Sequence, residues 1–205
     1  MRRLAVITGI AGPLAVVALT LLGGAFFPQY NHASQFISEL GSADAPHGRL
    51  VSLAGFLPAG IFCSVFAFAA WRALPRSWAA TLGLLGLFLF ALGYLVAAFF
   101  PCEGDCRSAL PGFSQAIHNF FGLAGYLTAP FTLWTLGVAA RGWTRARLLS
   151  ALGFVAGCTA LLGLLFLSPD FRYVGVAQRL LEGSVLFWMA SCAWYLRRTR
   201  FPGLH

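Results

Sequence analysis

Long apolar runs alternate with short polar breaks along this chain. Six runs, about 4–27, 50–71, 79–100, 117–140, 147–167 and 176–196, approach the roughly 20 residues that an α-helix needs to cross a bilayer. Each break carries proline, arginine or acid: "PQYNHASQ", "RALPRSW", "PCEGDCRSALPG", "RGWTRAR" and "SPDFRY". Barrel strands are only about 9–11 residues long, and backbone groups left unpaired in hydrocarbon cost several kcal/mol. The pattern therefore predicts an all-α, polytopic integral membrane six-helix bundle. No linker leaves room for a second domain, so residues 1–205 read as a single transmembrane domain. The opening "MRRLAVITGIAGPLAVVALTLLGGAFF" imitates a signal peptide, yet it is long enough to span and is expected to be a retained first helix.

Composition supports this reading. The chain is 59% hydrophobic and only 10% charged, against about 25% charged in an ordinary soluble domain. Its formal charge of +8 comes entirely from arginine, since lysine is absent. In so apolar a chain this excess reflects topology rather than nucleic-acid binding. With the N-terminus inside, Arg2, Arg3, Arg72, Arg76, Arg141, Arg145, Arg147, Arg197, Arg198 and Arg200 face the cytoplasm, ten against the three outer arginines Arg49, Arg107 and Arg172. The positive-inside rule then gives an N-in/C-in topology in a bacterial-type inner or plasma membrane.

Glu39, Asp44, Glu103, Asp105 and Asp170 all fall in outer loops on this topology, with His32, His47 and His118 in the same layer and only His205 in the tail. Tolerance of acids where arginines are excluded does not account for the histidines, nor for Arg179 and Glu182 inside the last run. In "VAQRLLEGSVLFW", Gln178, Arg179 and Glu182 are spaced to approach one helix face. An ionisable residue in a span is by default a functional hypothesis, and a structural ion pair near the interface is the plain alternative. In "HASQFISEL", His32, Gln35 and Glu39 form a polar stripe of a short helix and Phe36, Ile37 and Leu40 an apolar one, so residues 31–41 are expected to lie in the outer interface or fold back over the bundle mouth.

Cys102 and Cys106 enclose three residues in an outward loop, where an oxidising compartment permits a disulfide. Cys63, Cys158 and Cys192 lie in apolar runs and read as packing residues. Gly83, Gly86, Gly93, Gly122 and Gly125 fall at spacings that let helices approach closely, and Pro13, Pro58 and Pro130 interrupt spans and are expected to bend them.

The stretches "HASQFISELGSADAPHG", "FPCEGDC", "IHNFFG" and "AQRLLEG" resemble the bacterial and archaeal membrane proteins grouped as domain of unknown function 998, or DUF998. The resemblance covers nearly the whole chain. It implies about six spans and supplies no reaction, substrate or cofactor.

The favoured expectation is a membrane protein whose polar extracytoplasmic pocket binds a lipid headgroup, a small ligand or a partner membrane protein. His32, Gln35, Glu39, His47, His118, Asp170, Arg172, Gln178, Arg179 and Glu182 are its candidate ligand-binding residues. The alternative is a hydrolase acting on a lipid or lipid-linked substrate at the outer leaflet, with His32, Glu39, His118 and Asp105 as candidate catalytic groups. His32, Glu39 and His118 are also the candidate ligands for a divalent metal such as zinc, which histidine and carboxylate suit. The chain lacks the paired histidines, four apart on a late helix, of the membrane hydrolases it remotely resembles. A transporter is the third reading, disfavoured because the inner halves of the spans hold no ionisable group. The chain has no phosphate loop, nucleophile elbow or dinucleotide fingerprint.

Overall fold

The computed structural model describes residues 1–108 and 110–199, so the expectations for Arg200 and His205 lie outside the described residues. Long helices run over α1 (Arg2–Ala25), α2 (Gly48–Ala73), α3 (Trp78–Phe99), α4 (Phe113–Ala140), α5 (Arg147–Leu165) and α6 (Val174–Arg198), and no strand occurs among the described residues. The helices α1 to α5 are long and apolar enough to cross a membrane, as in a multi-pass membrane protein. Helix α6 matches them in length and departs in composition, because it carries Arg179, Glu182, Arg197 and Arg198.

Each helix packs against the next, and α6 closes on α1, so the bundle is a ring of sequence neighbours. Short connections enforce this order by making successive helices antiparallel. The ring closes at one end through Arg2, whose Nε donates to Leu196 O (2.7 Å) and Nη2 to Arg197 O (3.2 Å), satisfying carbonyls at the end of α6. The same end is fastened by the Tyr195 hydroxyl, which donates to Thr144 O at 2.9 Å. The longer connections 26–47, 100–112 and 166–173 gather at the opposite end.

With no hydrophobic drive between helices in lipid, association depends on close packing. At the α4–α5 contact a Cβ on Gly153 would stand 2.7 Å from Gly137 Cα and 2.9 Å from Gly137 N, so the backbones meet there directly. At the α3–α4 contact Gly125 faces the Phe90 backbone, and Gly83 and Gly86 make room for the side chains of Leu136 and Thr132. Gly122 instead faces open space and Gly93 has only loose neighbours, because both border a cavity.

Pro13 lies inside α1 and Pro130 inside α4. Pro58 follows a wide π turn over Ser52–Phe56 within α2. A proline ring clashes with the carbonyl four residues back and offers no N–H to it, and widening the preceding turn relieves both problems.

Residues 31–41 do not form the amphipathic helix expected of them. Asn31 Oδ1 accepts from Ala33 N (2.9 Å) and Gln35 Oε1 from Asn31 N (2.7 Å), closing a single turn, and Glu39 Oε1 then takes the Phe36 N–H (2.8 Å) that a continuing helix would give to its own backbone. Such side-chain bonds compete with helix formation. Only a 3₁₀ turn remains at Ser38–Gly41, and the segment folds inward, burying Ile37, Glu39 and Leu40.

Gly153→Leu should destabilise the bundle by about 1–3 kcal/mol or more, the cost of overpacking against a backbone that cannot yield. Gly122→Ala, which adds a methyl to open space, should leave thermal unfolding in detergent unchanged. Equal melting of the two variants would contradict the packing described.

Candidate functional site

At the looped end, α6 supplies a row of polar side chains that separates into an outer clamp and an inner chamber. The clamp is Arg179. Its Nη1 donates to Gln35 O (3.1 Å) and Gly175 O (2.9 Å), and its Nη2 to the Tyr30 hydroxyl (2.8 Å) and His32 Nδ1 (3.1 Å). Val176 N donates to Ala33 O at 3.1 Å, and a Cβ on Gly175 would come within 2.5 Å of Gln35 O. The segment therefore lies directly on the first turn of α6, a close approach only glycine permits.

One turn deeper, Glu182 is 3% exposed. Its Oε2 accepts from the Tyr94 hydroxyl at 2.5 Å, and its Oε1 accepts from the Tyr126 hydroxyl and from Gln178 Nε2 (3.0 Å). Gln178 also donates to the Tyr126 oxygen (2.7 Å), and its Oε1 accepts from Ile37 N (2.7 Å). One glutamine thus joins the carboxylate to the segment above it. A cavity of about 40 Å³ lies here, bordered by Glu182, His118 and the rings of Phe56, Phe90, Tyr94 and Tyr126, with Ile37 and Ser38 at its cover. That volume holds roughly two or three waters.

The ion pair between Arg179 and Glu182, held as the plain alternative to a functional role, does not form. The two side chains diverge: all of Arg179's hydrogen bonds go to the outer segment and its own helix, and those of Glu182 come from neutral groups. Spacing of three places residues on neighbouring positions of a helix and does not choose their partners.

The other candidates separate as well. His32 packs edge-on against Tyr30, with ring centroids 5.0 Å apart, and bonds Arg179. Glu39 is held by Phe36 N and by Gln35 Nε2 (2.6 Å), which places Gln35 in the same knot. His118 joins the chamber lining, with its Nδ1 donating to Phe100 O at 3.0 Å. His47 is exposed beside Phe26, Asp170 is exposed, and Arg172 is exposed over the Tyr173 ring. Asp105 accepts from Arg107 N at 3.1 Å within its own loop. Among the described residues no three histidine, cysteine, aspartate or glutamate side chains gather as a metal site. His32, Glu39 and His118 thus have separate partners rather than a shared centre.

Cys102 and Cys106 stand at disulfide distance, with Cα atoms 5.1 Å apart. Cys63 and Cys192 are buried as packing residues, whereas Cys158 is exposed on the bundle surface. The cysteine loop is tied to the first outer segment by Ala43 N donating to Cys102 O (3.0 Å) and Gly104 N to Asp44 Oδ2 (2.8 Å). Arg107 bonds Ser34 O and Pro169 O, both at 2.9 Å, and lies over the Phe36 ring, so one guanidinium fastens all three outer connections.

Sequence reasoning passed over Tyr30, Tyr94, Tyr126 and Arg107. The available signal was the hydroxyl of a tyrosine in an otherwise apolar run, since a buried tyrosine hydroxyl usually finds a polar partner.

This is an α-helical bundle of multi-pass membrane type with an acid satisfied by neutral donors beneath a folded cover. The chain matches the family model described as "Protein of unknown function (DUF998)" over residues 10–195, and it belongs to that family. No curated protein and no solved structure matches it.

Burial and the neighbouring guanidinium change the titration of the outer segment. Arg179 can only donate, so His32 Nδ1 accepts, and desolvation together with Arg179 holds the His32 pKa below the ordinary histidine value. Burial raises the Glu39 carboxyl against the hydrogen bonds from Phe36 and Gln35, and burial pushes Tyr30 up to about 12. A base with a depressed folded pKa binds fewer protons folded than unfolded. Its stabilising contribution is present above the ordinary histidine value and is lost as pH falls through the window down to the depressed one. Glu39 acts oppositely, since a raised carboxyl favours the folded segment as pH falls. Amide exchange at residues 30–36, corrected for intrinsic rates, should therefore quicken in wild type relative to His32→Gln as pH falls through that window. Parallel pH profiles for the two proteins would refute the role given to His32.

Proposed function

We propose that the protein binds a small ligand bearing a primary ammonium group in the Glu182 chamber, with residues 30–40 as its cover. The observation that carries this reading is a deeply buried carboxylate that receives hydrogen bonds from Tyr94, Tyr126 and Gln178, with no cation among these donors. An acid inside a membrane helix is costly and by default functional. A small cation would gain the carboxylate charge and the faces of the surrounding aromatic rings. Ligand pockets usually measure about 300–1,000 Å³, so the described chamber of about 40 Å³ corresponds to a closed state that admits only a small head once Ile37 and Ser38 withdraw.

Recognition of an anion, the chemistry first suggested by Arg179, Arg172 and the histidines, has less support. Arg179 spends its hydrogen bonds on the cover, and Arg172 lies outside on Tyr173. The hydrolase alternative requires His32, Glu39, His118 and Asp105 to act together, and their separate partners support binding over hydrolysis. The arginine distribution supports six crossings with both termini cytoplasmic and the chamber at the extracytoplasmic mouth.

Ethanolamine added to purified protein should raise its melting temperature saturably, whereas acetate and the bulkier choline should not. Glu182→Gln and Gly122→Leu, the second of which fills the chamber without touching the acid, should both remove the response. Nanodiscs of phosphatidylethanolamine and phosphatidylcholine would distinguish a lipid-borne ammonium from a free amine. Stabilisation by acetate alone, or a response that survives both variants, would overturn the proposal.

The orientation is tested by cysteine accessibility in a background lacking exposed thiols. An impermeant reagent applied from outside should label cysteines introduced at Asp44 and Asp170 and miss those introduced at Arg76 and Arg145. The reverse pattern would place the chamber on the cytoplasmic side.

A further inference from the structure

At the end of the bundle opposite the chamber, the start of α5 and the last turns of α6 leave a groove of about 770 Å³. Its floor is apolar, formed by side chains such as Leu148, Leu152, Phe187 and Ala190, and Leu148 and Phe187 are exposed to their surroundings. Arg145 and Arg198 border the same groove. Arg145 is held on the turn between α4 and α5 in the left-handed region, at φ 57°, and the Arg198 guanidinium lies 4.4 Å from the centre of the Trp194 ring.

Among the described residues no side-chain carboxylate serves these two cations. The chain's six acids are Glu39, Asp44, Glu103, Asp105, Asp170 and Glu182, and all belong to the looped end. An apolar trough open to the membrane accepts an acyl chain by shape. Two arginines at its polar end add attraction for a negative head, and a tryptophan beside them suits the membrane interface. A second copy of the chain is a poor occupant in the same leaflet, because a parallel neighbour would bring its own arginine-rich end against this one.

We infer that this groove is a binding site for one anionic phospholipid, its phosphate at Arg145 and Arg198 and an acyl chain along the α5–α6 floor. The site is independent of the Glu182 chamber and lies at the other end of the bundle.

Purified full-length protein titrated with dioleoyl phosphatidylglycerol or dioleoyl phosphatidylcholine and examined by native mass spectrometry tests this. Phosphatidylglycerol should be retained about tenfold more strongly or better, given roughly fivefold for each arginine near the membrane surface. Arg145→Gln combined with Arg198→Gln should bring it down to the phosphatidylcholine level without altering thermal unfolding in phosphatidylcholine. Ala190→Trp should block the trough and remove the preference while both arginines remain. Equal retention of the two lipids by wild type, or a preference that survives the double arginine variant, would overturn the assignment. So would a double variant that loses a dimer while keeping its phosphatidylglycerol, since the surface would then be an interface between copies.

Discussion

A carboxylate drawn out of water must be met by its neighbours, and the looped half of this bundle is arranged around that demand at Glu182. Tyr94 comes from α3, Tyr126 from α4 and Gln178 from α6 itself, so three helices converge on one side chain. Gln178 then extends the network upward to Ile37, which fixes how the outer segment lies over the mouth. Removing the acid would leave two buried hydroxyls and an amide seeking partners. Such groups cost more unpaired than they contribute when paired. The cover is thus tied through Gln178 to the acid beneath it.

The clamp at Arg179 solves a different problem. A segment rich in backbone carbonyls and tied into turns by its own side chains would leave acceptors unpaired where it meets α6. The planar guanidinium, with five donors, serves three acceptors of the segment, Gln35 O, the Tyr30 hydroxyl and His32 Nδ1, and Gly175 O of its own helix. Arg107 plays the corresponding part further out, joining Ser34 to Pro169. Arg107, which a charge count treats as a topological signal, is thereby engaged in local architecture, as Arg179 is.

Much of the helical architecture was legible in the sequence, because the length of an apolar run and the chemistry of its breaks are local properties. The pairing distance of Cys102 and Cys106 was legible for the same reason, being a matter of four residues. The site was less so. Of the candidates, Gln178, Glu182 and His118 border one cavity. What no spacing rule could supply was the identity of their partners, which lie on other helices. Tyr94 and Tyr126 pass for packing residues until a third helix presents an acid to them. The helix expected at residues 31–41 failed because hydrophobic period was weighed without the Phe36 N–H that Glu39 claims.

The contact of Arg2 with the last turn of α6 closes a ring between an earlier and a later helix of the sequence. Because synthesis proceeds from the N-terminus, Gly9 and Gly12 of α1 first meet Phe66 and Cys63 of α2, and Ala193 and Met189 of α6 complete their packing only later. Glu182 travels on that same late helix. The acid is therefore made after Tyr94 and Tyr126, and the order of synthesis spares it a prolonged period without its hydrogen-bond donors.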